Sequence, residues 1–286
     1  MELLRCWLFV PAGRPKLLES AARSRADALI LDLEDGVPAS QKAAARRLAA
    51  QWLPRLATRR RRVFVRLNGL GSGLTRDDLL AVAGPKLSGV VLPKTEAAQD
   101  LRELDVLIRE AEVANGVRPG EVATVPLIES ARGVLRCEQI VSASDRVAAL
   151  SIGAEDYTRD LGVDRRPDGL ALQHIRAVVV QVAAAYALQP VDTPYTDFRD
   201  SEGLAQELAI ARAVGLKGKF AIHPEQVAPI QEAFTPSPQE VEAARRIVEA
   251  YDAAVLDGRA VVALNGAMID APVAERARAV LAAARR

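Results

Sequence analysis

Eight short apolar runs, most of them followed by a stretch of helical periodicity, restrict this chain's fold more than any other feature. They are Cys6–Pro11, Ala28–Leu33, Val63–Leu67, Gly89–Pro93, Ala123–Ile128, Val147–Ile152, Gln189–Thr193 and Lys219–Ile222. Short continuous apolar runs are what strands buried on both faces require, the condition of a parallel sheet. Between them lie amphipathic segments such as Gln41–Trp52, Ala97–Asn115, His174–Ala187 and Leu204–Val214, whose apolar residues recur at helical spacing. Eight such units predict an α/β fold closed as a (β/α)8 TIM barrel rather than an open doubly wound sheet. The nucleotide-binding alternatives also lack their fingerprints, since no G-x-G-x-x-G follows the first run and no GxxxxGK[ST] occurs.

The barrel is expected to occupy residues 1–232 and a C-terminal extension 233–286. In the extension, Thr235-Pro-Ser-Pro reads as a turn leading to an N-cap at Ser237, and Gly258 as a helix stop. A last helix is expected over Val273–Arg286, and the intervening VVALNGAMIDAP shows no strand periodicity. The extension is too small to be a separate enzyme domain and is expected to be an arm that packs on a neighbouring subunit.

Composition excludes several classes of function. Half the residues are hydrophobic, ample for a large core, and the net charge of +1 offers no global attraction to nucleic acid or to a membrane surface. No stretch approaches the length of a membrane span. The start, MELLRCWLFVPAGR, lacks the features of a signal peptide. Cys6 and Cys137 form no disulfide framework, which makes the cytoplasm the expected compartment. With only His174 and His223 present, a histidine-built zinc site is not expected.

Two apolar runs end in carboxylates. VPLIES carries Glu129, and SIGAEDY carries Asp156. Acids at the carboxyl ends of barrel strands sit where such folds build their sites. Two of them without a His/Cys cluster suit a hard, oxygen-seeking ion such as Mg²⁺. The alternative is a helix cap or a salt bridge. Strand 2 ends LDLEDGV, so Asp32 and Glu34 share a face and Asp35 points away. This cluster is either part of a site or a cap (Asp35) and an arginine partner (Asp32). Arg66 ends strand 3, where a guanidinium could hold a carboxylate bidentately or pair with Glu34 or Glu129. Pro93-Lys94 ends strand 4, as a weaker anion site, a Schiff-base lysine or simply a loop-orienting pair. Arg59–Arg62 precedes a strand and reads as a solvated face at the barrel's bottom. Arg14 and Lys16 follow strand 1 at the opposite rim and are better placed for a phosphate-bearing ligand. His223 and His174 read as structural. Asp270 is either the cap of the last helix or a catalytic acid delivered across a subunit interface.

Taken together, CWLFVPAGRPKLLESAA, DALILDLEDGV with QKAAAR, VFVRLNG, VVLPKTE, PLIESARGV, SIGAEDYTRDLG, GLKGKFAIHPEQ and GAMIDAPV resemble the citrate lyase β-subunit family. That family lies within the HpcH/HpaI aldolase superfamily, with malyl-CoA and citramalyl-CoA lyases. The motifs appear in family order over nearly the whole chain. The resemblance implies that Glu129 and Asp156 are Mg²⁺ ligands and that Arg66 holds the substrate's carboxylate or thioester enolate. It implies that Asp270 is the general acid or base contributed by the neighbouring protomer, and hence a homo-oligomer, a trimer or a multiple of it. Arg14 and Lys16 fall where relatives contact CoA or carrier phosphates. Glu34, Asp35, Pro93, Lys94 and Glu129 are expected to line the substrate rim. One departure is the first strand, Arg5-Cys6-Trp7-Leu8, where the family reads R-S-x-L, a change that could alter an acyl-chain or pantetheine contact.

The function so implied is a Mg²⁺-dependent carbon–carbon lyase. It would cleave or form a 3-hydroxyacyl-CoA such as citramalyl-, malyl- or citryl-CoA, with acetyl-CoA and a 2-oxo acid as products and CoA as part of the substrate. The alternatives are a carrier-protein-dependent subunit of a citrate lyase complex, a metal-dependent aldolase on free 2-oxo acids, and a barrel retained as a scaffold.

Overall fold

The computed structural model describes residues 3–166 and 169–284. It divides into two compact units, Met1–Gln231 and Glu232–Arg286.

The first unit is a closed parallel barrel. Its strands are β1 (Cys6–Pro11), β2 (Ala28–Asp32), β3 (Arg62–Arg66), β4 (Gly89–Leu92), β5 (Ala123–Ile128), β6 (Ala149–Ile152), β7 (Gln189–Asp192) and β8 (Gly218–Ala221). Each pairs with the next and β8 returns to β1, with Trp7 opposite Ala28 on one side and opposite Phe220 on the other. All eight expected strands form. The sixth is shorter than its apolar run, because Val147 makes only an isolated bridge to Thr124.

Alternation along each strand sends one set of side chains into the barrel and the other toward the helices. Ile30, Phe64, Val91, Val125, Leu127, Val191 and Phe220 fill the interior with Trp7. The chain has two Trp and five Phe, and Trp7, Phe9, Phe64 and Phe220 are gathered here. The Trp7 and Phe64 rings lie 4.6 Å apart, and Phe9 meets Phe220 edge-on at 5.1 Å, the geometry favoured by ring quadrupoles.

The helices cover the other face. In Lys42–Leu56, Ala45, Ala49, Leu53 and Leu56 recur at helical spacing and are buried. Arg61 departs from the solvated face expected for Arg59–Arg62. It is buried, and its guanidinium donates to the carbonyls of Leu56 (2.9 Å), Ala21 (3.1 Å), Ala22 (3.1 Å) and Ser24 (3.0 Å). Carbonyls in the last turn of a helix lack partners within it, so one arginine satisfies the ends of two helices. Arg59, Arg60 and Arg62 are exposed, as expected.

The second unit holds the helices Pro238–Leu256 and Ala271–Ala284. Ser237 is the expected N-cap and completes a capping box, accepting from the Glu240 N–H at 3.2 Å while its own N–H donates to the Glu240 carboxylate at 2.8 Å. The segment between these helices is not irregular, as its sequence implied. It is a hairpin of β9 (Val262–Leu264) and β10 (Ala267–Ile269). Asn265 and Gly266 turn it with φ of 51° and 81°. Two successive positive φ values match the strand twist in a two-residue turn, and Asn-Gly is the pair that tolerates them best. No helix among the described residues is long and apolar enough to cross a membrane.

Candidate active site at the carboxyl end of the barrel

The parity that fills the barrel with Ile30, Phe64 and Leu127 also points Asp32, Arg66 and Glu129 inward, two residues further on. Asp32 and Arg66 are register partners on β2 and β3. Arg66 Nε and Nη2 each donate to one Asp32 carboxylate oxygen at 2.7 Å. The N–H groups of Glu34 and Gly36 donate to the same oxygens, both at 2.9 Å. Burial alone would raise the Asp32 carboxyl, but Arg66 and the two amides outweigh it and hold it below the usual range. Arg66 also pairs with Glu34 through Nη1 at 3.1 Å, and its guanidinium carbon lies 5.0 Å from the Phe9 ring centroid. Its partners are therefore Asp32 and Glu34, not Glu129.

Glu34 is buried, and burial raises its carboxyl despite the two cations beside it. Its other oxygen accepts from Lys94 Nζ at 2.6 Å. Lys94 has a backbone φ of 54°, a conformation non-glycine residues adopt only where the surroundings enforce it. It aims the ammonium at Glu34 and the backbone N–H at Glu129 Oε1, 2.6 Å away. The hydrogen bond with Glu34 raises the Lys94 pKa, the opposite of the lowering that a Schiff-base lysine calls for.

Glu129 directly follows β5 and is 4% exposed. Ser130 then caps the helix Ala131–Leu135, accepting from the Gly133 N–H at 3.1 Å. The Glu129 carboxylate touches no cation. Burial pushes it up to about 8, with Asp156 and Glu34 adding negative charge and the Lys94 amide opposing. Asp156 stands in the first turn of the helix Ala154–Leu161, three residues beyond Gly153, which directly follows β6. It pairs with the exposed Arg159 at 2.6 Å and is not the helix cap.

Glu129, Asp156, Arg66, Asp32, Phe9 and Thr193 line one cavity of about 350 Å³. An adjacent cavity of about 610 Å³ is lined by Glu34, Pro93, Lys94, Asn68, Arg132 and Arg136 among others, and Asp35 faces both. The expected rim residues thus fall on two cavities, Glu129 on the first and Glu34, Pro93 and Lys94 on the second. Asp35 is exposed and does not cap a helix. Arg14 and Lys16 are exposed on the first turn after β1 and line neither chamber. Asp270 belongs to the second unit. There its carboxylate accepts from the Val273 N–H at 3.2 Å and caps the last helix. His223 accepts from the Glu225 N–H through Nδ1 at 3.3 Å and stacks on Phe198, a structural role.

Of the carboxylates lining the first chamber, Asp32 and Asp35 pair with Arg66 and Glu155 with Arg165, which leaves Glu129 and Asp156, whose partner Arg159 is exposed, and among the described residues no three metal-binding side chains cluster. Two acids with an open face fit a hard divalent ion that keeps waters or takes substrate oxygens, and do not fit zinc, which wants three or four protein ligands. A buried carboxylate contacted by an amide but by no cation fits the same reading. Sequence reasoning overlooked Gly153 and Thr193, whose signal is only their adjacency to the two acids, and the arginines Arg132 and Arg136.

Comparison with known proteins agrees with this arrangement. Residues 5–224 match the family described as HpcH/HpaI aldolase/citrate lyase. The citrate lyase subunit beta of Haemophilus influenzae is 38% identical over 281 residues, 98% of this chain and 97% of that protein. The L-malyl-CoA/beta-methylmalyl-CoA lyase of Cereibacter sphaeroides is 34% identical, covering 97% and 93%. The crystal structure of CitE from Mycobacterium tuberculosis in complex with magnesium, acetoacetate and coenzyme A superposes with a TM-score of 0.80 at 33% identity, covering 100% of this chain and 99% of that one. A closed barrel bearing its acids at or just beyond the carboxyl ends of β2, β5 and β6 and its arginine at the end of β3, matched along nearly its whole length, belongs to the HpcH/HpaI aldolase/citrate lyase family.

Proposed function

We propose that this chain is a Mg²⁺-dependent carbon–carbon lyase acting on a 3-hydroxyacyl thioester, cleaving it to, or forming it from, an acetyl thioester and a 2-oxo acid. The observation that carries this reading is Glu129, a buried carboxylate without a cation, facing the same chamber as Asp156 and the Arg66 guanidinium. Relatives that are carbon–carbon lyases, and a similar structure holding magnesium with coenzyme A, support it.

Glu129 and Asp156 would hold the ion, which when bound supplies Lewis-acid polarisation of the substrate oxygens. Arg66 is locked in place by Asp32 and Glu34, yet keeps one hydrogen on each terminal nitrogen for an anionic substrate oxygen. Held rigidly at a developing enolate, such donors act without reorganising. In cleavage the substrate hydroxyl gives up its proton to solvent as the carbon–carbon bond breaks, its electron pair passing to the thioester enolate. Asp270 of a neighbouring protomer returns a proton to the enolate carbon. We read the assembly as a homo-oligomer, a trimer or a multiple of it, with residues 233–286 as the arm. Arg14 and Lys16 would meet the phosphates of CoA or of a carrier. Both free cysteines, Cys6 and Cys137, are buried and fit a reducing cytoplasm.

The test is a cleavage assay with Mg²⁺ on malyl-CoA, citramalyl-CoA, citryl-CoA and the free acids. Turnover of one CoA ester, abolished by EDTA, is expected. Mixing Glu129→Gln chains with Asp270→Asn chains is expected to restore part of it through shared sites. Silence on every CoA ester with activity on an acyl carrier protein would instead identify a citrate lyase subunit. Activity on free 2-oxo acids alone would contradict the thioester reading.

A further inference from the structure

We infer that Gly153 is a positioning residue, which fixes the spacing of Glu129 and Asp156 by leaving to the Glu129 side chain the space its own Cβ would fill. This rests on reading the two acids as ligands of a divalent cation.

Gly153 has φ −107° and ψ 91°, extended backbone open to any residue, so its conformation does not call for glycine. Its surroundings do. A Cβ there would lie 2.3 Å from Glu129 Oε2, 2.7 Å from Glu129 Cβ and 3.2 Å from Glu129 Cδ, and these are its three nearest atoms. The contact follows from register, since Ile128 pairs with Ile152 and the next residue on each strand is Glu129 and Gly153.

Neither side is free to give way. The Gly153 N–H donates to the Ile128 carbonyl at 2.9 Å. The next N–H, of Ala154, donates to the Thr193 hydroxyl at 3.1 Å, and Thr193 is fully buried. On the other side Glu129 Oε1 is held by the Lys94 amide at 2.6 Å. A methyl group at this position must therefore push Glu129 off that amide or shift the start of the helix that carries Asp156. Either movement changes the spacing between the two acids. A site that holds its ion with so few protein ligands is sensitive to such errors.

The experiment measures Mn²⁺ binding to the purified full chain by calorimetry, with circular dichroism as the check on folding. Gly153→Ala is expected to bind Mn²⁺ at least ~10-fold more weakly while keeping its spectrum. Melting temperatures are compared in the wild-type and Glu129→Gly backgrounds. The drop caused by Gly153→Ala is expected in the first and largely absent in the second, because every close contact is with Glu129. Wild-type Mn²⁺ affinity in a folded Gly153→Ala protein, or an equal drop in both backgrounds, overturns the positioning role alone. If Gly153→Ala does not fold by itself, folding of the Gly153→Ala/Glu129→Gly double variant supports the inference and its failure overturns it. Unchanged Mn²⁺ affinity in Glu129→Gln overturns the ligand reading and this inference together.

Discussion

Two strand ends of this barrel carry the same local device and put it to opposite uses. On β2 and β3, Asp32 and Arg66 are register partners; on β7 and β8, Asp192 and Lys219 are. Each aspartate is the last residue of its strand, and each is buried. Parity separates them. Asp32 shares the inward face of Ile30, whereas Asp192 follows the inward Val191 and points out toward the helices. There Arg176 donates to both Asp192 oxygens at 3.0 Å, and Lys219 Nζ bridges Asp192 at 2.7 Å and Glu207 at 2.5 Å. Arg165 closes the group on Glu207 at 3.0 Å. Burial would raise the Asp192 carboxyl, but Lys219 and Arg176 outweigh it and hold it low.

The inward cluster is unbalanced. Asp32, Glu34 and Glu129 are all buried, with Arg66 and Lys94 as the cations that contact them, and Glu129 has only an amide. A buried charge without a partner is unfavourable, and a fold optimised for stability alone would not leave one beside a cavity. Matched buried charge marks structure here, and a surplus of one sign marks a site.

Breaking the balanced cluster carries the largest expected effect. Asp192→Asn keeps the shape but leaves the fully buried Arg176 and Lys219 with only Glu207 to share, and is expected to cost about 3–5 kcal/mol in chemical denaturation. A loss below about 1 kcal/mol would mean that the cluster is solvated and that the contrast is false. The unbalanced cluster should respond with a smaller change of the opposite sign. Because folding raises the Glu129 carboxyl from 4.5 to about 8, the folded state is favoured while the group is protonated. That advantage fades as pH rises from 4.5 through about 8. Glu129→Gln is therefore expected to melt like wild type near pH 5 and to be more stable near pH 8.5 without metal, by at least about 1 kcal/mol. Equal stability at both pH values would indicate that Glu129 is not an uncompensated charge.

Most of the barrel and the identity of its acids were legible in the sequence, because strand runs and their terminal residues are local. Parity could also have been read locally: two residues on from Ile30, Phe64 and Leu127 come Asp32, Arg66 and Glu129. The Asn265-Gly266 turn was likewise open to reading, and its hairpin was missed because the flanking strands are short. Other features were not legible. Arg61 looked like part of a solvated basic run, and only the fold brings two helix ends to it. The contact of Lys94 with both Glu34 and Glu129 comes with its positive φ, and the role of Gly153 depends on cross-strand register. Each is a relation between distant residues that no local pattern encodes.

The most direct measurement is calorimetric titration of the metal-free chain with Mn²⁺ between pH 6 and 9, alongside Glu129→Gln. A carboxylate held near 8 must lose its proton to become a ligand. Wild type is therefore expected to bind with an affinity that rises about tenfold per pH unit up to about 8 and then levels off, while Glu129→Gln does not bind measurably. Binding that is independent of pH, or equally strong in both proteins, would contradict the claim that the unpaired acid at the end of β5 is there for a cation.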